Sequence, residues 1–219
     1  MNALAGNDME IAEFEDLEIA GEIPVLPLRN SVLFPGSIIP IDVERQTSRV
    51  AIERATGPGL FIAIVTQKVE EEDGPGAGLH PIGCAARILK VIKLKEKLVV
   101  IFQGLQRVRI ADIDRTGPCF VARVEPIPGP GGLDDELLLR KTEALKESAR
   151  LLIAAMPELP KEANELVDAI KHPGQLADAL ASTFDAPSED RQKVLETIPL
   201  AERVDLVLEQ VNQARARRA

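Results

Sequence analysis

The sequence predicts an α+β chain in two parts, a β-rich lobe followed by a bundle of helices. Three observations predict it. Over residues 23–128 the apolar residues come in short, β-branched runs cut by turns, whereas from residue 134 onward they recur at helical spacing. Between the two lies PIPGPGG, residues 126–132, with three prolines and three glycines in seven positions. Neither a helix nor a strand crosses such a stretch, so it reads as a domain boundary or hinge centred on Gly129, Gly131 and Gly132. The expected divisions are an acidic tail at 1–22, a β lobe at 23–128, the hinge at 129–132 and a helical lobe at 133–219.

The first 22 residues hold seven acids (Asp8, Glu10, Glu13, Glu15, Asp16, Glu18, Glu22) and no Lys or Arg. A signal or transit peptide starts basic, so export is not expected and the cytoplasm is the expected compartment. These acids carry −7 of the chain's net −9, which leaves the remaining body close to neutral. A segment of this composition is expected to be disordered and solubilising.

In the β lobe, residues 60–66 (LFIAIVT) form a continuous apolar run of strand length and read as a buried strand. Residues 86–94 and 98–103 flank the charged turn Lys95-Glu96-Lys97 and read as a hairpin. Gly104, residues 108–110 and residues 120–124 continue the alternation of strand and turn. One helix is expected inside the lobe, over residues 46–56, stopped by Gly57-Pro58-Gly59. Residues 70–78 (EEEDGPGAG) have Ala77 as their one apolar residue and read as a surface loop.

In the helical lobe, Leu138, Leu145, Ala149, Leu152 and Met156 share one face of a helix over residues 134–156, with Asp134, Asp135 and Glu136 in the first turn, where carboxylates suit the helix dipole. Pro160, Pro173, Pro187 and Pro199 then each precede an apolar-periodic segment, as prolines at the first helical position do. The last helix ends in Arg215, Arg217 and Arg218 without a glycine cap, which suggests a chain that belongs to something longer.

No catalytic constellation emerges. Cys84 and Cys119 sit in strand-like apolar runs without a C-x-x-C spacing, and read as reduced, buried residues. His80 and His172 each precede a proline, lack the i, i+4 partner of a zinc site, and read as loop or cap positions. The string GLHPIGCA, residues 78–85, has the glycines of a nucleotide-binding P-loop but Cys84 and Ala85 where Lys and Ser/Thr belong. The chain is therefore not read as an enzyme, and no cofactor or metal is expected. No run is long and apolar enough to span a bilayer. Lys90, Lys93, Lys95 and Lys97, with Arg107 and Arg109, make one candidate basic face for nucleic acid. Edge-protecting lysines are the simpler reading, because the chain has no Trp or Tyr on which bases could stack.

Residues 23–48 (IPVLPLRNSVLFPGSIIPIDVERQTS) resemble the opening of the N-terminal domain of the Lon family of ATP-dependent proteases. The matching positions are Pro27-Leu28-Arg29-Asn30, Phe34-Pro35-Gly36, Pro40, and Val43, Arg45 and Ser48. Three more stretches follow in family order: residues 60–68 (LFIAIVTQK), residues 80–110 with P-I-G-x-x-A-R-I and G-L-Q-R-V-R-I, and residues 173–181 (PGQLADALA). The acidic tail and the loop at 70–78 depart from the pattern.

The resemblance implies a PUA-like β lobe, a twisted sheet or pseudo-barrel with one helix, followed by a helical bundle. It implies recognition of unfolded or degron-bearing protein segments, without catalysis, on behalf of ATPase and Ser-Lys protease modules that lie downstream in a hexamer. A free-standing adaptor of the same fold is the alternative, and nucleic-acid binding a third. An exposed apolar patch suits such recognition, because folded proteins offer it little to cover. The candidate patch is Leu33, Phe34 and Pro35 with Ile38 and Ile39, where Pro35-Gly36 forces a turn that lifts Leu33 and Phe34 into solvent. The competing reading has Leu33 and Phe34 plugging the base of the β lobe. Arg29 reads as a structural ion pair, and the glycine hinge either reorients the lobes or is a passive linker.

Overall fold

The structure is a computed structural model that describes residues 19, 21–57, 59–68, 78–95, 97–129, 135–156, 159 and 162–218. Most of the acidic tail, most of the loop at 70–78, and Gly131 and Gly132 of the hinge lie outside the described residues.

The β lobe contains β1 (Gly21–Leu28), β2 (Ile38–Val43), α1 (Gln46–Ala55), β3 (Ile62–Thr66), β4 (Ile82–Lys93), β5 (Leu98–Asp114) and β6 (Val121–Pro126). The sheet order is β2-β5-β4-β3-β1-β6, and β6 also pairs with β5, which closes the last five strands into a barrel. The β1–β3 pair is parallel; it requires a crossover, which β2 and α1 supply. β1 begins at Gly21 and Ile19 is buried, so the end of the segment expected to be tail belongs to the folded lobe. The hairpin expected around residues 95–97 is β4 and β5. β5 does not stop at Gly104 but runs through it over 17 residues in all, because there the glycine accommodates a neighbouring backbone rather than breaking the strand.

Two apolar clusters stabilise this lobe from opposite faces of the sheet. Ile62, Ile64, Cys84, Ala86, Val100 and Phe102 pack with Ala51 and Ile52 of α1. Val25, Ala63, Ala85, Val108 and Ala122, one from each closed strand, meet in the other cluster together with Ile19. Alanine and valine fill all five of these strand positions, which suits the narrow interior of a closed sheet.

The helical lobe is α2 (Glu136–Ala154), α3 (Ala163–Ala169), α4 (Pro173–Thr183), α5 (Ser188–Glu196) and α6 (Leu200–Ala216). Asp135 caps α2 by accepting from the N–H groups of Leu137 and Leu138. Pro173 occupies the first turn of α4 as expected, whereas Pro187 and Pro199 stand one position earlier, as the N-caps of α5 and α6. Leu145, Ala149, Leu152, Leu176, Val204 and Val207 form the centre of this lobe, and Val32, Phe34 and Ile82 of the β lobe belong to the same cluster.

Candidate functional site

The segment between β1 and β2 folds back on the sheet. Asn30 turns the chain with φ 52°, a left-handed conformation that Asn tolerates, and Gly36 follows with φ 80°. Gly36 N–H donates to the Gly104 carbonyl and Gly104 N–H donates to the Ser37 carbonyl, both at 2.9 Å. The approach is so close that a Cβ on Gly104 would stand 2.1 Å from the Phe34 carbonyl oxygen. This anchoring pulls Leu33 and Phe34 inward instead of lifting them into solvent; they are 1% and 0% exposed. Leu33 joins the cluster beneath α1, and Phe34 crosses into the core of the helical lobe. The expectation that these two side chains are exposed is therefore corrected: the turn is real, but Gly104 gives it a backbone to dock on. Pro35 is half-buried, and Ile39 is half-buried against the cluster that holds Val100 and Phe102.

Ile38 is different, at 57% exposed. It stands on β2, opposite Gln103 of β5, and alternation along the strands defines what shares its face. Pro40 pairs with Ile101, which pairs with Lys90; Asp42 pairs with Val99, which pairs with Ile92. The register shifts between Ile88 and Lys90, so Leu89 and Lys90 stand together at a bulge, both exposed. The result is an outward face of Ile38, Pro40, Leu89, Ile92, Val99 and Ile101, bordered by Arg87, Lys90 and Asp42. Pro40 lies within the edge strand and lacks an N–H, which blunts addition of a further strand.

The lobes meet across a buried polar seam. Arg107 of β5 forks onto Asp178 of α4 and donates through Nε to the Leu195 carbonyl at 2.9 Å. Arg203 of α6 lies 3.6 Å from the same carboxylate and caps the end of α5 through the Thr197 and Ile198 carbonyls. Burial first, and the nearby Arg107 charge second, pull the Arg203 guanidinium down to about 10. Gln192 donates to the Ile82 carbonyl, and His80 pairs with Glu196 at 2.8 Å. Arg107 therefore leaves the basic face that the sequence grouped it with, and Lys97 is tied to Asp42. Reading the sequence alone missed Arg107 and Asp178 as partners, although each lies inside a quoted motif, GLQRVRI and PGQLADALA. Gly129 is exposed, and reorienting the lobes about it would strip Phe34 and Arg107 of their partners. His172 is the N-cap of α4, its Nδ1 accepting from the Gly174 N–H. Arg29 is exposed at the end of β1.

The architecture and its motifs can be set beside known proteins. The family model described as the ATP-dependent protease La (LON) substrate-binding domain matches residues 22–213. The chain belongs to that family. The Lon protease of Anaeromyxobacter dehalogenans is 41% identical over 200 residues, which cover 90% of this chain and 24% of that protein. Lon protease 2 of Myxococcus xanthus is likewise 41% identical over 200 residues, with the same coverage. The chain thus spans about a quarter of the length of these curated Lon relatives. Among solved structures, the N-terminal domain of Mycobacterium avium complex Lon protease superposes with a TM-score of 0.74 at 20% identity, over 88% of this chain and 98% of that one. A Lon N-terminal domain protein from Xanthomonas campestris gives 0.63 at 19% identity, over 86% and 98%. These neighbours share the α+β fold read from the sequence. Among the described residues no helix is long and apolar enough to cross a membrane.

Proposed function

We propose that this chain holds unfolded or degron-bearing protein segments against the outward face of β2, β5 and β4. It does so as the recognition domain of an ATP-dependent Lon-type serine protease, whose ATPase and protease modules assemble as a cytoplasmic hexamer. The observation that carries the reading is the exposure of Ile38, Leu89 and Ile92 on one sheet face in a member of a substrate-binding family. Such side chains find little to cover on a folded protein and much on an unfolded one. One face of this size binds weakly after association entropy is subtracted, and six copies on a ring raise avidity without new contacts.

The test is fluorescence anisotropy of labelled α-lactalbumin kept unfolded by reduction and carboxymethylation, titrated with the full chain. Binding to the unfolded form and not to native α-lactalbumin is expected, undiminished in high salt, and weakened about tenfold or more by Ile38→Asp or Ile101→Asp. Equal affinity for both forms, or indifference to both substitutions, overturns the reading. Immunoblotting of the source cell addresses the larger assembly: a band several-fold above 23.8 kDa is expected.

A further inference from the structure

The outward face is cationic as well as apolar. Arg87 and Lys90 stand on it beside one carboxylate, Asp42, whose charge is met by Lys97; Lys93 and Lys95 are exposed at the adjoining end of the hairpin, and among the described residues no carboxylate forms an ion pair with Arg87, Lys90, Lys93 or Lys95. A ligand that fits must be apolar and acidic together. Residues 1–18 have that composition: Met9, Ile11, Phe14 and Leu17 are interleaved with Asp8, Glu10, Glu13, Glu15, Asp16 and Glu18, with no Lys or Arg.

Position agrees with composition. Ile19, where the described chain begins, is buried in the cluster that contains Ala85 and Leu105. Arg87 lies two residues along β4 from Ala85 and shares its side of the sheet, so the outward face is the open continuation of the side on which Ile19 is buried. Along β5, Ile101 is four residues from Leu105, a distance of roughly 13 Å, and the 18 residues before Ile19 reach up to about 60 Å when extended.

We infer that residues 1–18 dock on the outward face of β2, β5 and β4 and compete there with unfolded protein, acting as a tethered pseudo-substrate. The inference rests on the client-binding reading of that face. Its selectivity follows: a client must displace a segment that is always present at high effective concentration, so weakly apolar segments are rejected and strongly apolar or acidic-apolar ones are held. Apparent affinity falls by the fraction of time the face is occupied, as for any site only part of which is competent.

The test uses the full chain and needs no client. A nitroxide attached to Ala12→Cys, with Cys84 and Cys119 buried away from the label, should broaden the amide signals of Ile38, Leu89 and Ile101 and leave Ala144 on α2 unaffected. Lys90→Glu or 0.5 M salt should reverse the broadening. Absence of broadening on the face, or broadening that neither treatment changes, overturns the inference. Separately, Ile11→Asp with Phe14→Asp should tighten binding of carboxymethylated α-lactalbumin by about threefold or more. Unchanged client affinity, with broadening present, overturns competition. If no variant binds the client at all, the client-binding reading fails while the spin-label experiment still decides where the tail docks.

Discussion

Arg107 on β5 and Asp178 on α4 face each other across the seam between the lobes, Nη1 to Oδ2 at 2.6 Å and Nη2 to Oδ1 at 2.7 Å. Both side chains are less than a tenth exposed, at 7% and 6%, and Arg203 approaches the same carboxylate. One carboxylate therefore neutralises part of two buried guanidinium charges, and the two substitutions are not equivalent. Asp178→Ala leaves two cations facing each other without a counter-charge, with an expected loss of about 3–5 kcal/mol. Arg107→Met leaves Asp178 its second partner and replaces the removed stem with apolar volume, so a smaller loss is expected. Urea unfolding midpoints at constant m-value check the order; an equal or reversed order removes Arg203 from the account.

Gly104 supports the second prediction. A methyl group there meets the Phe34 carbonyl oxygen at 2.1 Å and the Cys84 sulfur at 3.1 Å, so the loop over residues 33–37 must lift. Lifting it withdraws Phe34 from the helical lobe. Gly104→Ala is expected to cost about 1–3 kcal/mol or more from overpacking, and Phe34→Ala about 3–5 kcal/mol from the cavity. Because both act through one loop, the double variant should lose less than the sum of the singles, as a thermal or urea double-mutant cycle will show.

Helix α4 enters the shared core with its first turn capped by a histidine. His172 Nδ1 accepts the Gly174 N–H at 3.0 Å, and Pro173 needs no partner at the position between. His172→Ala should cost about 1 kcal/mol, and His172→Asn, which keeps an acceptor near the same place, clearly less. Thermal unfolding of the two variants measures the difference.

The switch in the period of apolar residues after β6 made the α+β plan legible, although Pro126, read as part of the break, is the last residue of that strand. The hairpin and α1 were legible for similar local reasons. What stayed hidden depends on pairs far apart in the chain. Nothing in residues 31–37 says that Gly104 will accept them, so an exposed Phe34 and a buried one fit the local sequence equally well. The pairing of Arg107 with Asp178, 71 residues away, was hidden for the same reason, and a lone Arg among surface lysines reads as one of them. The exposure of Ile38 was legible and the outward placement of Ile101 was not, because an apolar residue inside a long strand looks like core until the register shows which side it faces.

The last prediction concerns Cys84, which is wholly buried among Ile64, Ala86 and Phe102. Burial raises its thiol from the ordinary 9.0 to about 12, against a smaller opposing pull from the Arg107 charge. The neutral thiol is thus the form the fold accepts. Above pH 9 the unfolded chain releases this proton while the folded chain keeps it, so the unfolded state binds fewer protons and stability falls as pH rises from about 9 to about 12. Below pH 9 the group contributes no pH dependence. The chain has no Tyr, which leaves the lysines and Arg203 as main other groups titrating in that window, and both proteins share them. Comparing urea midpoints of the parent chain and Cys84→Ala from pH 8 to 11 should therefore isolate the effect: the parent's decline is steeper above pH 9, and the variant's is shallower by as much as one proton's slope. A thiol reagent at pH 8 should leave the folded chain unmodified and label both cysteines once urea unfolds it, since Cys119 is buried as well. Parallel alkaline slopes for the two proteins, or prompt labelling of the folded chain, would place Cys84 in contact with water and contradict the packing beneath α1.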